Sequence, residues 1–210
     1  EMGLPIKTFV CASNINNVLT EFFTTGTYDR NRTFHVTISP SMDILVSSNL
    51  ERLICLESGQ HKTKELMEKL KKDGKYTLDL ANCPIKGYCA SEEETKAVIK
   101  YMYSETGYVM DTHTAVAYAA YEKYKKEAMD DTPCVIVSTA SPYKFTKDVL
   151  SAIDEKYSQM EFFPLMKELE KVSGVEIPLP IRDIEKKPVI HKNVIEKTDI
   201  KDFVKKQLLK

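Results

Sequence analysis

No single sign of charge dominates this sequence of 210 residues. Its 30 lysines and arginines face 31 aspartates and glutamates, a formal net charge of −1. That balance excludes the basic footprint by which proteins hold nucleic acid or an anionic membrane through bulk electrostatics. No apolar run approaches the roughly 20 residues of a membrane-spanning helix, and the first residues show no signal-peptide pattern. The five cysteines are an odd number. They contain no CxxC pair, and Cys83 and Cys89 lack metal spacing, so neither a disulfide framework nor a zinc site is favoured. Cys11 and Cys134 sit in apolar runs, where a thiol behaves as a small hydrophobe. A reducing, cytoplasmic setting is expected. Solenoid repeats and low-complexity tracts are also missing. The opening pair Glu1-Met2 is not a natural start, so the chain is expected to be a piece of a longer protein.

What recurs is a short apolar strand, a polar turn and an amphipathic helix. In "TFVCASNINNVLTEFFTTG", Phe9 to Ala12 read as a buried strand. Ser13, Asn14 and Asn16 supply the turn and its capping candidates. Val18, Leu19, Phe22 and Phe23 form a helical stripe, and Gly26 is the helix stop. "IKGYCAS" reads as another short strand. It leads into "SEEETKAVIKYMYSETG", where Ser91 and Glu94 have the spacing of a capping box and Gly107 ends the helix. "YVMD" predicts a strand at Val109–Met110, followed by the turn Asp111-Thr112-His113 and a helix. "CVIVSTASPYKF" predicts a strand over Val135 to Val137, a hydroxyl-rich turn and a helix with Pro142 at its first position. Strands alternating with helices predict a parallel α/β sheet in a three-layer αβα body. From about Glu155 the pattern changes to a helix, a Pro-punctuated extended stretch and a basic terminal helix. The predicted organisation is a body over 1–154 and a helical and extended tail over 155–210 packing on it.

In an open parallel sheet, ligands bind at the carboxyl ends of the strands, where helix N-termini converge. The small polar residues fall there: Asn14 and Asn16, then Thr112 and His113, then Ser138, Thr139 and Ser141. They suit a small polar ligand, including a phosphorylated one, and form no metal-like cluster. Each is also an ordinary capping type. Ser141 before Pro142 reads as a cap, whereas Thr139 lies between strand end and cap and is not needed as one.

Here a resemblance enters. "GLPIKTFVCASNINNVLTEFFTTGTYDRNRTFHVTISPSMDILVSSNLERL", with "TGYVMDTHTAVAYAAY" and "VSTASPYKF" in the same order, resembles the second half of threonine synthase. That family consists of pyridoxal-phosphate (PLP) enzymes of the tryptophan-synthase-β type. The resemblance implies part of the large domain of a fold-type II PLP enzyme. It implies a carbon–oxygen lyase acting on phosphates, which converts O-phosphohomoserine and water to L-threonine and phosphate in threonine biosynthesis. By the same comparison Thr139 is expected to hydrogen-bond the pyridine nitrogen of PLP, with Ser138 beside it. The family's Schiff-base lysine motif, of the Gly-Pro-Thr-x-x-Phe-Lys-Asp kind, and its Ser-Gly-Asn-Phe-Gly phosphate loop do not occur here. Lys144 reads as a helix-surface residue. No catalytic residue is therefore assigned, PLP is not expected to be bound covalently, and the chain alone is expected to be inactive. The implied partners are O-phosphohomoserine and a missing N-terminal half, with self-association across the cut face and no nucleic acid or membrane. The rival reading is a non-catalytic α/β module that binds a small phosphorylated ligand or a protein partner.

Other residues keep two readings each. His113 suits substrate contact or proton transfer, and equally a packed or capping role. Ser41 and Asp43 in "SPSMDI" suit a substrate-lining loop, or a turn with Asp43 as a local cap. Asn14 and Asn16 suit substrate contact or capping. Arg30 and Arg32 suit a phosphate clamp or a solvated loop.

Overall fold

The computed structural model describes residues 3–81 and 83–209; Glu1 and Met2, with the start-site expectation attached to them, lie outside these. The elements run β1 (Phe9–Ser13), α1 (Val18–Thr25), β2 (Thr27–Asp29), α2 (Ser48–Asp73), β3 (Lys75–Thr77), β4 (Ile85–Cys89), α3 (Glu92–Thr106), α4 (Thr112–Ala128), α5 (Thr146–Ile153), α6 (Phe162–Ser173) and α7 (Ile200–Leu208). The chain divides into two compact units between Ile177 and Pro178. Residues 155–177 thus stay with the first unit, where α6 packs against α5.

Local chemistry accounts for most element ends. Ser91 accepts from the Glu94 N–H while the Glu94 carboxylate accepts from the Ser91 N–H, a complete capping box on α3. This pairing satisfies two donors that a helix start leaves open. Ser47 caps α2 by accepting from the Leu50 N–H at 3.2 Å. Gly26 closes α1 at φ 73°, and a Cβ there would lie 2.4 Å from the Leu78 carbonyl oxygen. Inside α2, Gly59 has φ 79° and ψ 166°, so the span is two helical arms meeting at a kink only glycine tolerates well.

β1 and β4 pair in parallel, with Phe9 opposite Ile85 and Ser13 opposite Cys89. Their carboxyl ends lie together, and the Ala90 N–H donates to the Ser13 carbonyl at 2.9 Å. Gly87 lets β4 approach α1 closely, since a Cβ would meet the Thr20 Cα at 2.7 Å. The antiparallel pair β2–β3 sets Tyr28 opposite Tyr76, with rings stacked at 5.3 Å. These tyrosines join Val18 and Phe22 of α1 and Leu50, Ile54, Leu66 and Leu70 of both α2 arms in one apolar cluster. Each buried large side chain there contributes on the order of 2 kcal/mol. A second, smaller cluster joins Ala90, Val116 and Ala119, with Ala12, Met42 and Val98 against it. It fixes α4 across the carboxyl ends of β1 and β4.

Two expected strands are absent as strands among the described residues. Val109 and Met110 are buried but unpaired, and Val135 to Val137 form an irregular segment with Val135 87% and Val137 72% exposed. Apolar, β-branched sequence favours extended backbone, but a strand also needs a neighbouring ladder to satisfy its amides. Neither segment finds one. The parallel α/β organisation therefore rests on β1, β4 and their helices.

The second unit, Pro178 onward, holds short 3₁₀ turns at Ile184–Lys186 and Lys197–Asp199, then α7. Ile200, Val204 and Leu208 recur along α7 at four-residue spacing and are exposed. No helix among the described residues is long and apolar enough to cross a membrane.

Candidate functional site

The turn after β1 is a closed polar network. Asn14 and Asn16 are 3% and 2% exposed, so their amides must be paired within the protein. The Asn14 amide donates to Thr37 Oγ1 at 2.8 Å and to Asp43 Oδ1 at 2.7 Å, and its own Oδ1 accepts from the Asn16 N–H at 2.9 Å. Asn16 donates to the His35 carbonyl at 2.8 Å and accepts the His35 N–H at 2.9 Å. The Asp43 carboxylate is the hub. It also accepts from Thr37 Oγ1 at 2.7 Å and from the Thr37 N–H at 2.9 Å. Asn14, Asn16 and Asp43 therefore meet, but their polar atoms bind one another and pin the 35–43 loop to the end of β1. Of the two readings for Asp43, the structure has the turn with a local cap: Asp43 closes the 3₁₀ turn Pro40–Met42, its N–H donating to the Pro40 carbonyl at 3.1 Å, while its carboxylate accepts from the Thr37 N–H. The observed N-terminal boundary of α1 is Asn17, which makes no side-chain capping bond.

The start of α4 faces this loop on one side and the segment after Val137 on the other. Asp111 is the N-cap, and its carboxylate accepts from the His113 and Thr114 N–H groups at 2.9 and 3.3 Å and from the Thr114 hydroxyl. Burial opposes charge on Asp111, yet the bonds from the His113 ring, the Thr114 hydroxyl and both backbone amides outweigh it. Its carboxyl is accordingly held below the ordinary aspartate value. His113 is buried, its Nδ1 lies 3.3 Å from Asp111 Oδ1, and its ring lies 4.7 Å from that of Phe145. The Ser41 N–H donates to His113 Nε2 at 3.0 Å. An N–H can donate only to an unprotonated nitrogen, so the ring proton belongs on Nδ1, toward Asp111.

On the other side, Thr114 Oγ1 and Ser138 Oγ lie 2.9 Å apart. A threonine hydroxyl has one proton and the Asp111 carboxylate only accepts. The Ser138 hydroxyl is thus the donor left for that pair. Thr139 is exposed, and its hydroxyl has no hydrogen-bond partner among the described residues. The Ser41 side-chain hydroxyl is likewise exposed and unpartnered there. Ser141 caps the following turn by accepting from the Tyr143 N–H at 3.3 Å.

Two groups fall outside this constellation. Arg32 is spent on the Asp29 carbonyl, Asn17 Oδ1 and Glu21 Oε2, and Arg30 on the Lys71 carbonyl. Both hold the loop onto neighbouring helices. No cluster of three metal-ligating side chains occurs among the described residues. The sequence placed Asp111 in a turn without giving it a role, and did not single out Thr37, Thr114 or Ser39, whose hydroxyl also accepts from the Asn14 amide at 3.1 Å. Asp111 with Thr114 three positions on carries a local capping signal. Thr37 and Ser39 carry none.

Comparison with known proteins places the geometry. Residues 114–196 match the profile of the threonine synthase C-terminal family. Human threonine synthase-like 1 is 35% identical over 207 residues, covering 94% of this chain and 26% of that protein. Threonine synthase of Saccharomyces cerevisiae is 34% identical over 220 residues, covering 93% of this chain and 42% of the enzyme. The chain thus spans less than half the length of these relatives. Among solved structures, PLP-bound threonine synthase from Brucella melitensis covers 97% of the chain and 41% of its own length, at a TM-score of 0.70 and 28% identity. The yeast enzyme covers 83% of the chain at a TM-score of 0.68 and 33% identity. Shared sequence along nearly the whole length, on a shared fold, relates the chain to the threonine synthases, whose C-terminal family its residues 114–196 match.

Proposed function

We propose that the gene-encoded protein is a PLP-dependent lyase that converts O-phosphohomoserine and water to L-threonine and phosphate. In this reading the present residues form the wall that meets the ring nitrogen of the cofactor. The observation that carries it is the exposed Thr139 hydroxyl, unpartnered among the described residues and set beside the Ser138–Thr114 pair, on a fold shared with a PLP-bound threonine synthase. The residues fit such a group: a neutral hydroxyl can pair with a heteroaromatic nitrogen without demanding that it be charged. Bound PLP would supply an electron sink at the substrate carbons. Thr139 would orient the ring, and Ser138, restrained through Thr114, would hold Thr139's backbone in place. Ser41 would meet the substrate on the adjoining side, with the buried His113 behind it accepting the Ser41 N–H. Asn14, Asn16 and Asp43 serve this site by holding the loop that carries Ser41.

The test is turnover of O-phosphohomoserine by the gene-encoded protein, followed as phosphate and threonine. PLP-dependent product formation is expected, and none with PLP present would overturn the reading in favour of a non-catalytic binding module. The 210-residue chain by itself is proposed to be inactive, because it has no match to the family's lysine motif. Leu4, Ile6, Phe9, Val135 and Val137 are exposed apolar residues, proposed to be covered by further chain of the same protein or by a second copy. A monodisperse monomer of the 210-residue chain in light scattering would argue against that cover.

A further inference from the structure

Asp111 is the N-cap of α4, and His113 and Thr114 in the first turn it caps send their side chains to two loops distant in sequence. The His113 ring accepts the Ser41 N–H at 3.0 Å. Thr114 pairs with Ser138 at 2.9 Å. The Asp111 carboxylate binds both residues, through His113 Nδ1 at 3.3 Å and through the Thr114 hydroxyl. One buried carboxylate therefore ties together the turn bearing the free Ser41 hydroxyl and the segment bearing the free Thr139 hydroxyl. The 3₁₀ turn Pro40–Met42 has no side-chain cap of its own. Its backbone bonds are local, from Met42 to Ser39 and from Asp43 to Pro40. Among the described residues the Ser41 N–H has the imidazole as its one acceptor.

We propose that His113 is a positioning residue, which holds the Ser41 turn against the start of α4 so that the Ser41 and Thr139 hydroxyls stand on two sides of one ligand. Asp111 makes this work by keeping the ring proton on Nδ1, so that Nε2 stays an acceptor. Phe145, 4.7 Å from the ring, limits ring rotation. A hydrophobic residue could fill the same volume but could not accept the Ser41 N–H. The catalytic consequence rests on the threonine synthase reading, whereas the hold on Ser41 does not.

The experiment compares wild type, His113→Leu and His113→Gln in the gene-encoded protein. Gln offers an amide oxygen as acceptor, and Leu offers none. Amide hydrogen exchange across residues 39–43 is expected to speed up about tenfold in the Leu variant, the equivalent of one lost hydrogen bond, and to return most of the way in the Gln variant. With PLP and O-phosphohomoserine, KM is expected to rise several-fold in the Leu variant with kcat little changed, because Ser41 contacts substrate rather than the reacting atoms. Long-range proton–nitrogen NMR of wild type should show Nδ1 protonated and Nε2 not. Unchanged exchange at 39–43 in a folded Leu variant would overturn the proposal, as would a protonated Nε2 or failure of Gln to restore exchange. Failure of wild type to turn over O-phosphohomoserine would sink the enzymatic reading instead, and the exchange and tautomer results would still decide the role of His113.

Discussion

Exchanging Asp43 for asparagine changes one oxygen for an amide nitrogen in a site that contains only donors. The wild-type carboxylate accepts from the Asn14 and Asn16 amides on Oδ1 at 2.7 and 3.2 Å, from the Thr37 hydroxyl on the same oxygen at 2.7 Å, and from the Thr37 N–H on Oδ2 at 2.9 Å. In the less costly orientation the new carbonyl oxygen keeps the first three partners, and the new NH₂ faces the Thr37 N–H. One backbone donor is then unpaired, at about 1–3 kcal/mol. Loss of charge weakens the remaining bonds by a further few tenths of a kcal/mol each, since charge-assisted bonds are the stronger kind. The sum is about 2–4 kcal/mol. For a protein of this size each kcal/mol lowers Tm by about 2–4 °C, so Asp43→Asn should unfold about 5–15 °C below wild type in a circular-dichroism melt. Asp131→Asn is the matched control, because the Asp131 side chain is 95% exposed and lies 3.9 Å from Lys125; its shift should be negligible. If the two variants melt together, the Asp43 network is not holding the loop and the account of Asn14 and Asn16 as structural fails with it.

Three further outcomes follow from the same structure. Gly87→Ala should cost roughly 1–3 kcal/mol, because the added Cβ meets the Thr20 backbone at 2.7 and 2.9 Å; chemical denaturation would show it as a lower midpoint, and an unchanged midpoint would mean that β4 can retreat from α1. Thr139→Val should weaken PLP binding several-fold to about tenfold, matching one neutral hydrogen bond of about 0.5–1.5 kcal/mol, whereas Thr139→Ser should keep most of the affinity; equal affinities in a spectroscopic titration would remove Thr139 from the cofactor site. Asp111 is held below its ordinary value of 3.8 because hydrogen bonds from His113 and Thr114 overcome its burial. Its stabilising contribution is therefore complete above that ordinary value and is lost as pH falls through the lower folded value. Asp111→Asn should flatten the acid limb of stability against pH there, and an unaltered limb would contradict the assignment.

The features legible in the sequence are those whose chemistry is complete within a few residues. Ser91 and Glu94 are three apart, and the box they form needs nothing else. Gly26, Gly107 and Ser141 likewise carry their local geometry with them. Val135 to Val137 show the opposite case: the residues favour extended backbone, but what makes a strand is a neighbour far along the chain, and composition is silent about it. The candidate site divides in the same way. Asn14, Asn16, Ser41, Asp43, His113, Ser138 and Thr139 were identifiable as small polar residues at helix starts and turns. That Asn14 and Asn16 spend their amides on residues around position 40, while Ser41 and Thr139 keep free hydroxyls, depends on separations of tens of residues. Asn14 and Asp43 are 29 positions apart.

The kink at Gly59 has a practical side. The two arms it joins are anchored independently in the same apolar cluster, one through Leu50 and Ile54 and the other through Leu66 and Leu70. A Cβ at Gly59 would meet nothing within 4 Å, so the corner is open space. Lengthening an exposed connection costs little, because closure entropy grows only with the logarithm of loop length. Gly59 is accordingly the place to graft an epitope or fluorophore tag: the graft would project from the corner while each arm kept its own footing, well away in sequence from the turns that carry Ser41 and Thr139.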